Sequence, residues 1–171
     1  MYPRVWRFRE IPQQRDVSAV KGIVTSCNMF YPMEIEIALE LIDERLQRGE
    51  ESGYHFVFVE NRENVLGYSC YGPIPMTDDR YDLYWIAVHQ SLHGHGIGKA
   101  LMAYTESIIW NRNGKRIYVE TSSRSPYDNT RAFYMRMGYA VDAVLKDYYQ
   151  DGDDKIIFSK KNPSMQTDHL I

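Results

Sequence analysis

Apolar residues recur along this chain with two different periods, and the switches between them lay out its elements. Residues 5–11 set Val5, Arg7 and Arg9 against Trp6, Phe8 and Glu10, a strand pattern that stops at Pro12. Helical spacing follows. Asp16 can cap a helix whose apolar face is Val17, Val20, Val24 and Cys27, with Ile23 beside it. Pro32 precedes a second helix with Ile35, Leu39, Ile42 and Leu46 on one stripe, stopped by Gly49 just past Arg48. The polar and aromatic link at residues 28–31 is expected to face a substrate. His55–Glu60 and residues 65–71 are β-rich runs joined by residues 61–64, which predicts a hairpin that ends at the Gly72-Pro73-Ile74-Pro75 stretch.

Residues 83–88 form another strand-like run. Beyond the alternating Gly94, Gly96 and Gly98, the positions Ile97, Leu101, Tyr104 and Ile108 take up helical spacing, which fades near Asn113-Gly114. Arg116–Ser122 reads as a strand with Ile117, Val119 and Thr121 on one face and Tyr118, Glu120 and Ser122 on the other. Strand, helix and strand in that order predict a parallel unit with a right-handed crossover. After a loop at residues 123–127, Asp128 or Asn129 begins a short helix through Met137 that Gly138 terminates. Residues 139–149 and 155–161 are strand patterns around Asp151-Gly152-Asp153-Asp154, a second hairpin, and residues 162–171 form a tail. The expected fold class is α/β: a mixed, strongly twisted sheet of about seven strands with helices on both faces.

Composition narrows the picture. With 171 residues and 44% hydrophobic content, the chain suits one domain, expected over residues 1–161. A net charge of −3 and no Lys/Arg block argue against nucleic acid or a membrane surface as partner. Cys27 and Cys70 both sit in apolar patterns, so buried thiols in a reducing compartment are expected rather than a disulfide. No apolar leader or spanning run occurs, which makes a cytoplasmic location the expectation.

The glycine stretch carries the first chemistry. Glycines at the start of a helix let a ligand approach unpaired N–H groups, a favourable place for an anion. A P-loop frame ending on Gly98-Lys99 puts His93 where the first glycine belongs and Ala100 where a hydroxyl belongs. A dinucleotide frame fails as well, because Gly94-x-Gly96 leads to Lys99 and Gly96-x-Gly98 leads to Leu101. His93-Gly94-His95-Gly96-Ile97-Gly98 instead resembles the Gln/Arg-x-x-Gly-x-Gly/Ala pattern of the GNAT superfamily of N-acetyltransferases, with His93 where that family carries Gln or Arg. Ile86-Ala87-Val88 stands in the position of the family's pantetheine-carrying strand. Asn129-Thr130-Arg131-Ala132-Phe133-Tyr134, followed by Gly138-Tyr139, resembles the family's second motif, and the predicted order of elements follows the family's topology over nearly all of the chain.

The resemblance implies acetyl-CoA (coenzyme A) as co-substrate. It implies binding by Ile86, Ala87, Val88, His93, Gly94, His95, Gly96, Ile97, Gly98, Lys99 and Asn129, with the Tyr134 hydroxyl near the thioester sulfur. The chemistry sets its own requirements. An amine that is mostly ammonium at neutral pH must lose a proton, and a departing thiolate gains from a donor such as a phenol. Tyr134 fits the donor, and the backbone at Val88 offers an N–H to the carbonyl oxygen. Glu120 is expected to be the base, resembling the glutamate at that position in ribosomal-protein N-terminal acetyltransferases, with Asp82 and a water chain in reserve. Tyr148-Tyr149 resembles a tyrosine pair near the acceptor groove of the same enzymes.

No metal is expected, since His93-x-His95 lacks a third ligand at zinc-like spacing. No serine stands in a nucleophile elbow. The expected acceptor is a small-molecule amine or a protein N-terminus, met by residues 28–31, 71–79 and the late hairpin with their tyrosines and Asp78, Asp79 and Asp147. A homodimer is allowed for. The rival reading from another class is a non-catalytic acyl-CoA-binding sensor or protein-interaction module.

Overall fold

The computed structural model describes residues 6–165. The elements are β1 (Arg7–Arg9), α1 (Asp16–Ser26), α2 (Pro32–Arg48), β2 (His55–Glu60), β3 (Val65–Pro73), β4 (Arg80–Val88), α3 (Ile97–Asn111), β5 (Arg116–Ser122), α4 (Asp128–Arg136), β6 (Ala140–Gln150) and β7 (Asp153–Lys161). The seven strands run in the order β1-β2-β3-β4-β5-β7-β6, a mixed sheet accompanied by four helices. Contacts group the chain into two compact units, residues up to 72 with 85–106, and residues 73–84 with those from 107 onward.

In the first unit, β1 pairs antiparallel with β2 and β2 with β3. Phe56, Phe58, Tyr68, Cys70 and Ala87 on the strands pack with Val20, Ile23 and Val24 of α1 and Ala38 and Ile42 of α2. The alternate residue Ser69 faces the other way and hydrogen-bonds Thr105 of α3 at 2.7 Å, so helices cover both faces of β3. That explains the unbroken burial of β2 and most of β3, where a one-sided sheet would alternate. The Tyr68 hydroxyl is buried with no hydrogen-bond partner among the described residues.

Asp16 does not serve as the α1 cap. The N-cap is Arg15 with no side-chain bond, and Asp16 is the helix's own first residue, fully buried. Its carboxylate accepts both terminal nitrogens of Arg9 at 2.8 Å and the Gln13 N–H at 2.7 Å, while Arg9 also reaches buried Glu60 at 3.1 Å. A charge removed from water needs such partners, and here they outcompete local capping.

In the second unit, β4 runs parallel to β5 with Asp82 opposite Tyr118, and β7 lies antiparallel between β5 and β6. Gly114 fits where a Cβ would come within 2.5 Å of the Ile109 side chain, which accounts for a glycine between α3 and β5. The α4 helix ends in a Schellman arrangement: Gly138 at φ +87 donates to Met135 O and Tyr139 donates to Tyr134 O, each at 3.0 Å. Strand β6 is exposed almost throughout its 11 residues, while β1 at the opposite end of the sheet has only 3. The expected tail begins later than residue 162. Asn162 is buried, donating to Gly114 O from its side chain and to Lys115 O from its backbone, both at 2.9 Å; residues 166–171 lie outside the described residues.

Candidate functional site

The glycine loop and the Trp85–Val88 end of β4 belong to the first unit. Ala87 and Val88 are buried, and Gly67 on β3 allows their close approach, since a Cβ there would sit 2.8 Å from Ala87 O and 3.0 Å from the Val88 side chain. Gly67 was not singled out by the sequence reading, although an isolated glycine inside a strand is the signal for such an approach. After β4, a short 3-10 turn at Gln90–Leu92 leads to His93, whose Nε2 lies 2.8 Å from Val88 O and therefore donates to it. Cys27 Sγ donates to the same carbonyl at 3.7 Å; Cys27 is half-buried, where a buried thiol was expected, and Cys70 is buried. The histidine that replaces the family's Gln or Arg thus ties the loop back to the strand end.

Gly94 and Gly96 adopt φ of +78 and +82, and a Cβ at either would meet nothing within 4 Å, so the backbone there borders open space. The first helical bond of α3 runs from Ala100 N to Gly96 O at 3.0 Å. The N–H groups of Ile97, Gly98 and Lys99 therefore stand in a first turn whose own helix supplies no acceptor. Left-handed glycines leading into such a turn make a concavity of donors suited to a phosphate or pyrophosphate. His95 turns Nδ1 to Leu92 O at 3.1 Å and Lys99 is exposed. Among the described residues, no group of three or more His, Cys, Asp or Glu side chains is disposed to hold a metal ion.

The remaining candidates lie in the second unit. Tyr134 is buried, its ring packed against Phe133, Tyr139 and Phe158 at centroid distances of 5.7, 6.0 and 5.8 Å. Burial pushes its phenol well above the ordinary value, so it stays protonated through the physiological range. Asn129 is the second residue of α4, exposed, and not the helix cap.

Glu120 is about half exposed, and its carboxylate meets the Lys155 ammonium at 2.5 Å. The β5–β7 register pairs Glu120 with Ile157 and Val119 with Phe158. Paired residues share a face, so Tyr134, packed on Phe158, lies on the face of this ladder opposite to Glu120. The structure does not bring these two side chains together. It does gather Asp82, Glu120, Lys155, Tyr148 and Tyr149. Burial first, and then the charge of Glu120, raises the Asp82 carboxyl, with Lys155 opposing. Tyr148 and Tyr149 fall where β6 leaves register between Leu145 and Gln150, with Asp147 at φ +50. Lys155 was missed because nothing local marks a strand lysine as buried.

A sequence model described as the Acetyltransferase (GNAT) family matches residues 23–139. A crystal structure from Desulfovibrio desulfuricans, described as of the GNAT family, is 41% identical and superposes with a TM-score of 0.90 over 92% of this chain and 99% of that one. An uncharacterised N-acetyltransferase of Methanocaldococcus jannaschii is 37% identical over 86 residues, 50% of this chain. The match spans about half, 54%, of that curated relative's length. The ribosomal-protein-S18-alanine N-acetyltransferase of Escherichia coli shares the fold, with a TM-score of 0.74 at 18% identity over 98% of this chain and 99% of that one.

Proposed function

Because this chain belongs to the GNAT acetyltransferase family, we propose that it is an acyl-CoA-dependent N-acyltransferase, moving acetyl from acetyl-CoA to a primary amine by direct attack in a ternary complex. The observation that carries the reading is the Gly94 to Lys99 backbone, with two left-handed glycines opening onto first-turn donors. That backbone suits the pyrophosphate of coenzyme A. Ile86, Ala87 and Val88 would run beside the pantetheine arm, and Asn129 would contact it.

The reacting amine nitrogen forms a bond to the acetyl carbonyl carbon as the carbon–sulfur bond breaks. The amine's proton passes to Glu120, directly or through Asp82 and water, and the thiolate is stabilised by the Tyr134 hydroxyl. A phenol held above its usual value is a weaker acid, so Tyr134 acts as a hydrogen-bond donor to sulfur rather than by complete proton transfer.

Asp78 and Asp79 are engaged by Lys115, at 2.6 and 3.7 Å, so the case for a cationic acceptor rests on Asp82 beside Glu120, and the protein named for ribosomal-protein alanine acetylation shares the fold, which supports a protein N-terminus beside small amines. Residues 1–161 would act as one catalytic domain. No helix among the described residues is long and apolar enough to cross a membrane, and a cytoplasmic location fits that. A homodimer would have the exposed β6 edge to use.

Thiol release from acetyl-CoA across a panel of amino acids, polyamines, aminoglycosides and N-terminal peptides tests the reading. Tyr134→Phe should bind coenzyme A as the wild type does and turn over about tenfold or more slowly. Unchanged turnover would remove Tyr134 from its role. The second reading, a non-catalytic acyl-CoA sensor, is favoured by the occupied Glu120–Lys155 pair, and coenzyme A binding with no thiol release for any amine would establish it.

A further inference from the structure

The side chains around Glu120 form a cage that already holds a cation. Lys155 Nζ lies 2.5 Å from Glu120 Oε2, 4.1 Å from the centroid of the Tyr148 ring and 6.0 Å from that of Tyr149. The two rings meet edge to face, with centroids 5.0 Å apart and planes at 84°, so they wall the ammonium on two sides. The Lys155 side chain is only 12% exposed against 48% for Glu120, which makes the ammonium the enclosed partner of the pair. A cation over an aromatic face with a carboxylate beside it is the way proteins recognise alkylammonium ligands. Here the chain supplies the cation itself.

The backbone builds this arrangement deliberately. Lys155 stands opposite Ser122 on β5 and Leu145 on β6, while Glu120 faces Ile157 two places further along β7. The β6 ladder is broken between Leu145 and Gln150, with Asp147 in a left-handed conformation, and this break carries both tyrosines to Lys155. Asp82 lies close enough for Glu120 and Lys155 both to act on its charge. Lys155 already answers the charge of Glu120, so an arriving cation finds Asp82 rather than a vacant cage.

We propose that Lys155 is a specificity-determining residue: its own ammonium fills an alkylammonium subsite formed by Glu120, Tyr148 and Tyr149, and so restricts the acceptor to amines with one positive charge. The subsite stands on geometry alone, and the restriction on the acceptor rests on the N-acyltransferase reading. The terminal amine of a neutral peptide fits this arrangement. A polyamine, whose second ammonium would need the cage, does not.

Truncation opens the subsite. Calorimetric titration of n-butylammonium into the full chain should give saturable binding to Lys155→Ala, with affinity about tenfold or more weaker in the wild type and in Lys155→Ala/Tyr148→Leu. If Lys155→Ala does not fold, Lys155→Thr, better suited to a strand, takes its place. No saturable binding to the folded truncation, or binding indifferent to Tyr148, overturns the proposal. In a second arm, kcat/KM is compared for putrescine and for a neutral tripeptide. Their ratio should rise about tenfold or more from wild type to the truncation, and an unchanged ratio overturns the acceptor restriction. Butylammonium binding without thiol release from any amine by the wild type would leave the subsite standing and defeat the N-acyltransferase reading instead.

Discussion

Gly96→Val separates the strain of a left-handed residue from the loss of a ligand site, provided Gly53→Val is made beside it. Gly96 and Gly53 have φ of +82 and +75, and at neither would a Cβ meet any atom within 4 Å. Neither substitution creates a clash, so the cost in both is conformational, about 1–2 kcal/mol for a non-glycine residue in this region and nearer the upper end for a β-branched one. For a chain of this length that corresponds to a melting temperature lower by roughly 2–8 °C. The functional outcomes should diverge. At Gly96 the new side chain stands in the open space before the first-turn donors of α3, and losing about two charge-assisted hydrogen bonds at roughly 1.5–3 kcal/mol each weakens coenzyme A by about a hundredfold or more. Gly53, at the end of a 3-10 turn after α2, should bind coenzyme A as the wild type does. Thermal unfolding followed by calorimetry on the folded proteins reads both quantities. Affinity of Gly96→Val within a few-fold of wild type, or an equal loss in Gly53→Val, would refute the reasoning.

Other residues offer independent tests. Tyr68→Phe removes a buried hydroxyl without a partner among the described residues, and should leave the urea midpoint unchanged or raise stability by about 1 kcal/mol, whereas a clear loss would mean the hydroxyl is satisfied. Gly67→Ala must displace Ala87 O, 2.8 Å from the new Cβ, and is expected to cost about 1–3 kcal/mol while raising KM for acetyl-CoA; a silent substitution would detach β3 from the geometry of the cofactor strand. The Asp82 carboxyl is raised by burial and by Glu120, so the folded state holds that proton more tightly than the unfolded chain. The associated stability is present in acid and lost as pH rises through the raised value. Asp82→Asn should therefore be more stable than wild type at neutral pH, with the gain vanishing toward pH 4, and urea titrations at the two pH values would show the reverse trend if the sign were wrong.

Signals that act within a few residues survived the passage from sequence to structure. Gly138 was legible as a helix terminator because the left-handed conformation at that point is a local requirement, and the Schellman bonds to Met135 and Tyr134 follow from it. The same holds for Arg116–Ser122, whose alternation gave its bounds, and for the loop in which Gly94 and Gly96 take positive φ. Charge pairing across long separations was not legible. Asp16 reads as a cap on local grounds, yet it serves Arg9 and, through it, Glu60, which is 44 positions away along the chain. Lys155 reads as an exposed strand residue because its enclosure depends on a register break in β6 that no turn residue announces. Asn162 looks like the start of a tail, and only the Gly114 and Lys115 carbonyls show why it is held.

The two ends of the sheet differ in kind, and that difference limits how copies of the chain can associate. One margin, β1, offers three residues, two of them arginines engaged with Glu60. The other, β6, is long and exposes Val141, Val144 and Leu145 around Asp142, which pairs with Arg116, and is then broken around Asp147. Growth of a filament by strand addition needs two receptive margins on every subunit, so that each arrival presents a fresh one. A molecule with a single receptive margin has nothing left to offer once that margin is used. Two copies joined along β6 would close upon each other, and among the described residues β1 offers no second margin of that length.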